Sequence, residues 1–413
     1  MKKDDVVDVV IVGAGAAGMI AAITSAKDCK KVLLLEKLPQ IGAKLKATGG
    51  GRCNLSNTLS SDEFMSKFGR DGRFMQDALK AFTREDMQEF FHSIGVETHA
   101  PDGFRIFPTS HSSSTILDAL AKAMKDLNVE VLTSQKVEEI SKNNEIFKIK
   151  TSNYVYSANK IILATGGLGY PTLGAEGDGF ELTKEFGHST TDLYPAMMPL
   201  HTKETWVAEC RADTIAKTTM KVDMKKYKKL VAHGDLIFTK NGVRGPVVLD
   251  FAREITPLIE KYGEVPTLVN LTKGKNEDEI LKEFRNIQNK NIDASILELT
   301  KTLLPDALSK EILKMCDIKN DSKLKDIEGV KKEKLLKTLA WTPLTINGHD
   351  GFKMAMITRG GIKLKEIDPK TMQSKFIEGL YFCGEVMNID GPCGGYNLQW
   401  SFSSGYLAGK LLK

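Results

Sequence analysis

No two of the six cysteines in this chain, at 29, 53, 210, 316, 383 and 393, stand at CxxC spacing. They point to a reducing compartment rather than a disulfide framework. The seven histidines make no HxH or HxxxH pair, so a metal site has no sequence support. No stretch reaches the ~18 apolar residues of a membrane helix. The start, "MKKDDVVDVVIVGAGAAGMIAAI", is interrupted by Asp4, Asp5, Asp8 and several glycines where a signal peptide would be continuous. We therefore expect a soluble, cytoplasmic protein without a membrane partner. Charge of one sign is also scarce: the net charge is +5 over 413 residues, with lysines mixed among acids. A nucleic-acid partner is not expected on that basis. There is no internal repeat. What is present is an ordinary globular composition, 41% hydrophobic and 27% charged, over a length that suits two or three domains.

Residues 6–12, "VVDVVIV", form a β-branched run suited to a strand buried on both faces. Residues 16–27 read as a helix and 31–36, "KVLLLE", as a second buried strand, together a βαβ unit. One helical stripe is expected over 76–94 and another helix over 114–127. A strand is expected in "VEVLTSQKVEEI", a hairpin over 145–150 and 153–157, and a further strand in "KIILATGG". After Pro195 short runs such as "DLIFTK" and "GPVVLDFA" read as a small β-domain. Residues 276–340 are Lys/Glu-rich at helical spacing. From 350 glycines and strands return. The expected order is a discontinuous α/β, Rossmann-like domain over 1–194 and 346–413, an inserted β-rich domain over 195–275 and a helical subdomain over 276–345.

Four glycine-bearing stretches carry chemistry. "GAGAAG" fits GxGxxG through Gly13, Gly15 and Gly18, follows a strand and opens a helix. Gly13 would allow the turn, Gly15 would let the backbone approach a pyrophosphate, and Gly18 would let helix and strand pack. Glu36, at the end of the second strand, would accept from adenosine ribose hydroxyls. "GAKLKATGGGRCNLSN", 42–57, would pass Gly49, Gly50 and Gly51 against a flat ligand, with Arg52 and Asn54 as donors and Lys44 and Lys46 near phosphates. "ILATGG" would bring Thr165 and Gly166 back beside the nucleotide loop. "GLYFCGE" would do the same with Gly384 and Glu385, the latter on a ribityl hydroxyl. Finally "GPCGGYNLQWSFSSG" offers a second helix N-terminus at Gly395–Asn397, whose positive end suits the pyrimidine edge of a reduced flavin.

In this combination the chain resembles the BaiN/YhiN-type flavoproteins, a family that also includes aminoacetone oxidase-like enzymes. The likeness extends over "GDGFELTKEFGH", "GDLIFTKNGVRGP" and "ITRGGIKLKEIDPKTMQSK", essentially the whole chain. It implies a two-dinucleotide-binding-domain type of FAD domain interrupted by a β-barrel-like domain and a helical domain. It also implies FAD, with Gly13, Gly15, Ala16 and Ala17 on the pyrophosphate and Glu36, Lys37 and Lys44 towards the adenosine side. Arg52, Cys53 and Asn54 would lie along the cofactor, with the Val137 backbone at adenine. Glu385, Gly395, Tyr396, Asn397 and Leu398 would hold the flavin end. Arg244 and Cys393 depart from residues common in the family, and both bear on substrate preference.

The expected activity is hydride movement between flavin and a small organic substrate, of the enone or the amine and amino-ketone class. NAD(P)H or oxygen would be the other partner. No second GxGxxG lies in a second βαβ unit, so a nicotinamide would visit the substrate face. His349 and Tyr396 are the candidate proton donors, and Arg359 is a candidate for a substrate carboxylate or carbonyl. Cys53 and Cys393 invite a thiol-redox reading, against which stands a small side chain fitting a crowded glycine loop. A flavin-bound scaffold without catalysis and a flavoenzyme acting on RNA are the competing functions.

Overall fold

The computed structural model describes residues 6–29 and 31–412. The chain divides into two compact units: residues 1–195 with 356–413, and residues 196–355.

The first unit is built on a mostly parallel sheet. β1 (Val6–Val12) pairs in parallel with β2 (Val32–Leu35) and with β3 (Val155–Leu163). β2 continues to the short strand Glu130–Leu132, and β3 also takes β4 (Leu380–Phe382) in parallel. The hairpin strands Ile146–Thr151 and Val137–Asn143 extend the sheet antiparallel. Val9, Val10, Ile11 and Leu33 to Leu35 are buried because both sheet faces are covered, which explains the unbroken apolar runs. Register sets the consequence. Val12 lies beside Leu35 and Leu163, Leu35 beside Leu132, and Leu163 beside Phe382. Five strands from distant parts of the chain therefore end at one level, and the loops that leave them share one edge.

α1 (Ala16–Ser25) and the C-terminal helix α2 (Tyr396–Gly409) cross closely. A Cβ on Gly405 would lie 2.4 Å from the Ala17 carbonyl oxygen, and one on Gly409 would lie 2.7 Å from that of Ala21. Ser25 Oγ donates to the Gly409 carbonyl at 3.0 Å. α1 is rich in small residues and buried on nearly all sides, and Gly405 and Gly409 let α2 approach its backbone closely.

Several local expectations shift. The stripe over 76–94 is two helices, Gln76–Ala81 and Arg84–Ser93. Phe82 breaks it, and Thr83 starts the second helix through a capping box with Asp86. "VEVLTSQKVEEI" holds two strands. Ser134, at φ +56°, interrupts them, and Ser134 and Gln135 donate their N–H groups to the carbonyls of Leu38 and Glu36.

In the second unit six strands close a barrel: Leu200–Thr202, Gly242–Arg244, Val231–Phe238, Thr214–Val222, Val265–Asn270 and Thr342–His349, the last pairing back with the first. "GPVVLDFA", expected as a strand, is the start of the helix Pro246–Tyr262. Gly245 at φ +111° turns the chain and Pro246 takes the first helical position. Val247, Val248, Phe251, Ala252 and Ile255 then bury one face. The expected separation of a β-rich domain from a helical subdomain does not appear. Phe284, Ile312 and Leu335 of the helices share one core with Met220 and Val269 of the barrel. Residues 346–355, expected to belong with the nucleotide domain, fall in this unit because Thr342–His349 closes its barrel.

Candidate functional site

The shared edge of the first unit's sheet forms a cleft whose lining includes Gly13, Gly15, Glu36, Val137, Thr165 and Asp178. Each glycine of the first loop has its own physical reason. Gly13 has φ +102° and a Cβ there would lie 2.5 Å from the Ala164 carbonyl oxygen. A Cβ on Gly18 would lie 1.9 Å from the Gly13 carbonyl oxygen. Gly15 meets nothing within 4 Å, so its backbone faces open space. It is the N-cap of α1, and no side chain caps that helix. The first-turn amides of Ala16, Ala17 and Gly18 are thus available to an anion at the positive end of the helix dipole.

Glu36 is nearly buried and holds the loop shut. Its Oε2 accepts from Ala14 N–H at 2.8 Å and its Oε1 accepts from Leu38 N–H at 2.9 Å. Two of a carboxylate's lone-pair positions are therefore spent on the protein itself, with the others left for a ligand hydroxyl. Lys37, expected towards the adenosine side, lines the same cleft. It is ion-paired with Glu176 at 2.8 Å and with Asp178, and Lys136 faces the same acids at 3.6 and 3.3 Å. The Lys37 hydrogen bond holds the Glu176 carboxyl below its usual range. This four-charge cluster escaped the sequence reading because Glu176 and Asp178 lie about 140 residues beyond Lys37.

The second glycine loop carries positive φ at Gly49, Gly50 and Gly51, and a Cβ on either of the last two would meet open space. Arg52 lies over the Phe107 ring, 5.6 Å from its centroid. Cys53 is fully buried at φ +59°, and burial pushes its thiol up to about 12. Burial raises the Cys383 thiol as well. Cys53 is therefore not a thiolate near neutral pH, so the expected Cys53–Cys393 pair lacks one of its two nucleophiles. The side-chain amide of Asn54, oriented to satisfy its neighbours, donates to the Ser56 carbonyl at 2.9 Å and accepts from Gly395 N–H at 3.0 Å.

The distant ends of the chain meet here. A Cβ on Gly384, at φ +75°, would be 2.9 Å from the Ala17 side chain, and Gly384 N–H donates to Ser404 Oγ at 3.0 Å. Glu385 Oε2 accepts from Lys44 Nζ at 2.7 Å, and its Oε1 accepts from Thr358 N–H at 2.8 Å. Thr358 also binds Leu168 N–H through Oγ1 at 2.7 Å. It was not singled out from sequence, although it stands in the quoted "ITRGG". Gly166, at φ +72°, meets nothing within 4 Å.

At α2 the structure reassigns side chains. Gly395 has φ +85°, and a Cβ there would lie 2.3 Å from the Ser56 carbonyl oxygen, so strand Ser56–Asn57 is what demands glycine. The Asn397 side chain folds back on the turn, accepting from Gly391 N–H at 2.8 Å and donating to the Gly391 carbonyl at 3.0 Å. Leu398 is half-buried against the core. The Tyr396 ring is 4% exposed and packs 5.0 Å from Phe64 and 6.0 Å from Phe68. His349 belongs to the second unit, where it ends a barrel strand and its Nδ1 accepts from Gly351 N–H at 3.0 Å. Burial lowers its pKa. Among the described residues, no helix is long and apolar enough to cross a membrane.

Comparison with known proteins agrees with this architecture. Residues 7–411 match the HI0933-like protein Rossmann domain. The chain is 30% identical over 404 residues to the 3-dehydro-bile acid delta(4,6)-reductase of Clostridium scindens, covering 97% of each. It is 28% identical over 400 residues to the ribosomal RNA dihydrouridine synthase of Escherichia coli, covering 97% of this chain and 96% of that one. In fold it is similar to the 3-ketosteroid-delta4-(5alpha)-dehydrogenase of Rhodococcus jostii RHA1. The TM-score there is 0.52 at 14% identity, covering 99% of this chain and 98% of the other. With a nucleotide-type cleft at the sheet edge and a family match over almost its full length, the chain belongs to the HI0933-like Rossmann family and is a flavin-dependent oxidoreductase.

Proposed function

We propose that this protein holds FAD along the sheet edge of its first unit and reduces a ring carbon–carbon double bond conjugated to a carbonyl. NAD(P)H is the electron source in this proposal. The observation that carries it is the meeting of the uncapped α1 N-terminus with the Gly384–Glu385 loop, since a dinucleotide bearing a ring needs both ends of such a track. The residues present fit that cofactor. Thr165 Oγ1 is buried in the first unit with no protein partner, and Thr165 lines the cleft. Gly15, Gly50, Gly51 and Gly166 leave open space where a Cβ would stand.

Bound FAD supplies hydride transfer. The first-turn amides of α1 hold the pyrophosphate, and the spare lone pairs of Glu36 accept from ribose. Glu385, oriented by Lys44 and Thr358, receives a ribityl hydroxyl. The α2 N-terminus would offer its partial positive charge to the ring end of that cofactor. The substrate class is supported by the relatives. A 3-dehydro steroid with Δ4,6 unsaturation and a uracil ring share a ring double bond conjugated to a carbonyl. A second substrate class, uridine within RNA, is favoured by the near full-length similarity to the dihydrouridine synthase.

The test uses the purified protein. Mass spectrometry of the heat-released ligand should find FAD. Anaerobic NADH or NADPH should bleach the flavin, and a 3-oxo-4-ene steroid should restore its colour faster than a saturated ketone does. Release of FMN or of no flavin, or equal reoxidation by both ketones, would overturn the proposal.

A further inference from the structure

The second unit carries a surface that the flavin chemistry does not use. Strands Thr214–Val222 and Val231–Phe238 are joined by the loop "DMKKYKKL". Lys225, Lys226, Lys228 and Lys229 are all exposed, and among the described residues none of them has a carboxylate at ion-pair distance. Some other exposed lysines of this unit are paired, as Lys331 is with Asp317 and Lys337 with Glu333. Nearby Glu264 is taken by Lys203 at 3.0 Å. Asp223 at the loop's start leaves the local balance strongly positive.

The loop is built rather than loose. Tyr227 N–H donates to the Met224 carbonyl and Leu230 N–H to the Tyr227 carbonyl, both at 2.9 Å, and Val222 N–H donates to the Leu230 carbonyl at 3.2 Å. Met224 and Leu230 pack inward on the barrel core. Tyr227 meets Tyr262, at the end of the helix Pro246–Tyr262, edge to face at 6.1 Å, and the two hydroxyls are 3.2 Å apart. Lys226 lies over the Tyr227 ring and Lys261 over the Tyr262 ring, at 5.7 and 5.2 Å. Tyr262 is 42% exposed.

We infer that this loop, with Tyr262 and Lys261, binds single-stranded nucleic acid. Unpaired lysines at the spacing of successive residues suit a phosphate backbone, and an exposed tyrosine offers a face on which an unstacked base can lie. An anionic membrane is the poorer fit. Met224 and Leu230 of the loop pack against the barrel core, which leaves lysines and tyrosine rings, not a continuous apolar face, towards a bilayer. Duplex is the poorer fit too, because a stacking ring gains nothing from paired bases. The inference rests on the second unit alone and stands or falls apart from the cofactor and the substrate of the cleft.

The experiment measures fluorescence anisotropy of the flavin-loaded protein with labelled 12-mers of uridine and of deoxythymidine, from 50 to 200 mM salt. Four phosphate contacts to a single strand should weaken binding about 50-fold over that range. The variant Lys225→Gln/Lys226→Gln/Lys228→Gln/Lys229→Gln should lose most of this salt dependence. Tyr262→Ala should weaken binding about tenfold with the salt slope retained. Both variants should keep wild-type flavin content and melting temperature. Uridine against deoxythymidine shows whether ribose is read, and binding of either supports the inference. Binding of neither, equal binding by the quadruple variant, or tight binding to phosphatidylserine vesicles without oligonucleotide binding would overturn it.

Discussion

Lys44 Nζ and Glu385 Oε2 sit 2.7 Å apart although 341 residues separate them in the chain. Both side chains are mostly buried, with 27% and 19% of their surfaces exposed. Removing one leaves the other's charge partly desolvated. Glu385→Ala should therefore cost about 1–2 kcal/mol of stability and weaken flavin binding by about tenfold. Titration of refilled apoprotein checks it. A variant that binds FAD with wild-type affinity would show that Glu385 serves the fold alone.

Glu36 makes a sharper case. Because Ala14 N–H and Leu38 N–H both depend on its carboxylate, Glu36→Leu strands two backbone donors beside the phosphate loop. The expected cost is about 1–3 kcal/mol per donor. Glu36→Gln keeps one acceptor and should fall between that variant and wild type. Denaturant unfolding with and without added FAD separates loss of the loop from loss of a ribose contact. If Glu36→Gln and Glu36→Leu behaved alike, the loop-closing role would fail.

Gly395 tests the α2 N-terminus. With φ +85° and the Ser56 carbonyl in the way, even Gly395→Ala must shift the backbone. We expect about 2 kcal/mol or more of destabilisation and a displaced flavin absorption band. Gly50→Ala also has positive φ but meets only open space, so it should cost less stability. Equal destabilisation by the two would argue against the Ser56 contact.

Cysteine accessibility provides an independent check. Cys393 is exposed, whereas Cys53 and Cys383 are fully buried with raised pKa values. Iodoacetamide at pH 8 should label Cys393 in the native protein and reach Cys53 only after unfolding. Rapid native labelling of Cys53 would reopen the thiol reading.

The pH dependence of stability should carry the mark of His188. This ring is wholly buried, with Nε2 2.8 Å from Ser374 Oγ, Nδ1 3.3 Å from Glu366, and the Phe376 and Phe382 rings beside it. Burial lowers its pKa, an effect that the Glu366 carboxylate only partly offsets. The unfolded chain therefore binds more protons than the folded one just below the ordinary histidine value of about 6.5. His188 contributes stability that is present above 6.5 and is lost as pH falls through the window down to its depressed folded value. Glu366 is also held low and adds a loss of the same sign in the carboxylate range. The melting temperature should fall from pH 7.5 to 5.5, and less steeply in His188→Gln. Parallel profiles would exclude the assignment.

Local sequence determined the parts whose causes are local. β1, α1 and β2 are legible because a β-branched run, a GxGxxG turn and a small-residue helix follow one another within 36 residues, each dictated by backbone sterics and burial. The requirement for glycine at 13, 18 and 395 was legible as well. What stands against each one was not, and at Gly395 it is the Ser56 carbonyl. Tertiary structure alone decided which strands end at one level, that Lys37 is neutralised by Glu176 and Asp178, that Tyr396 is a core ring, and that His349 closes a barrel. It also showed the four loop lysines to be unpaired where composition suggested interleaved acids. Pairing, register and burial depend on residues tens to hundreds of positions apart. A local spacing rule holds no information about which of those distant partners a folded chain brings within 3 Å.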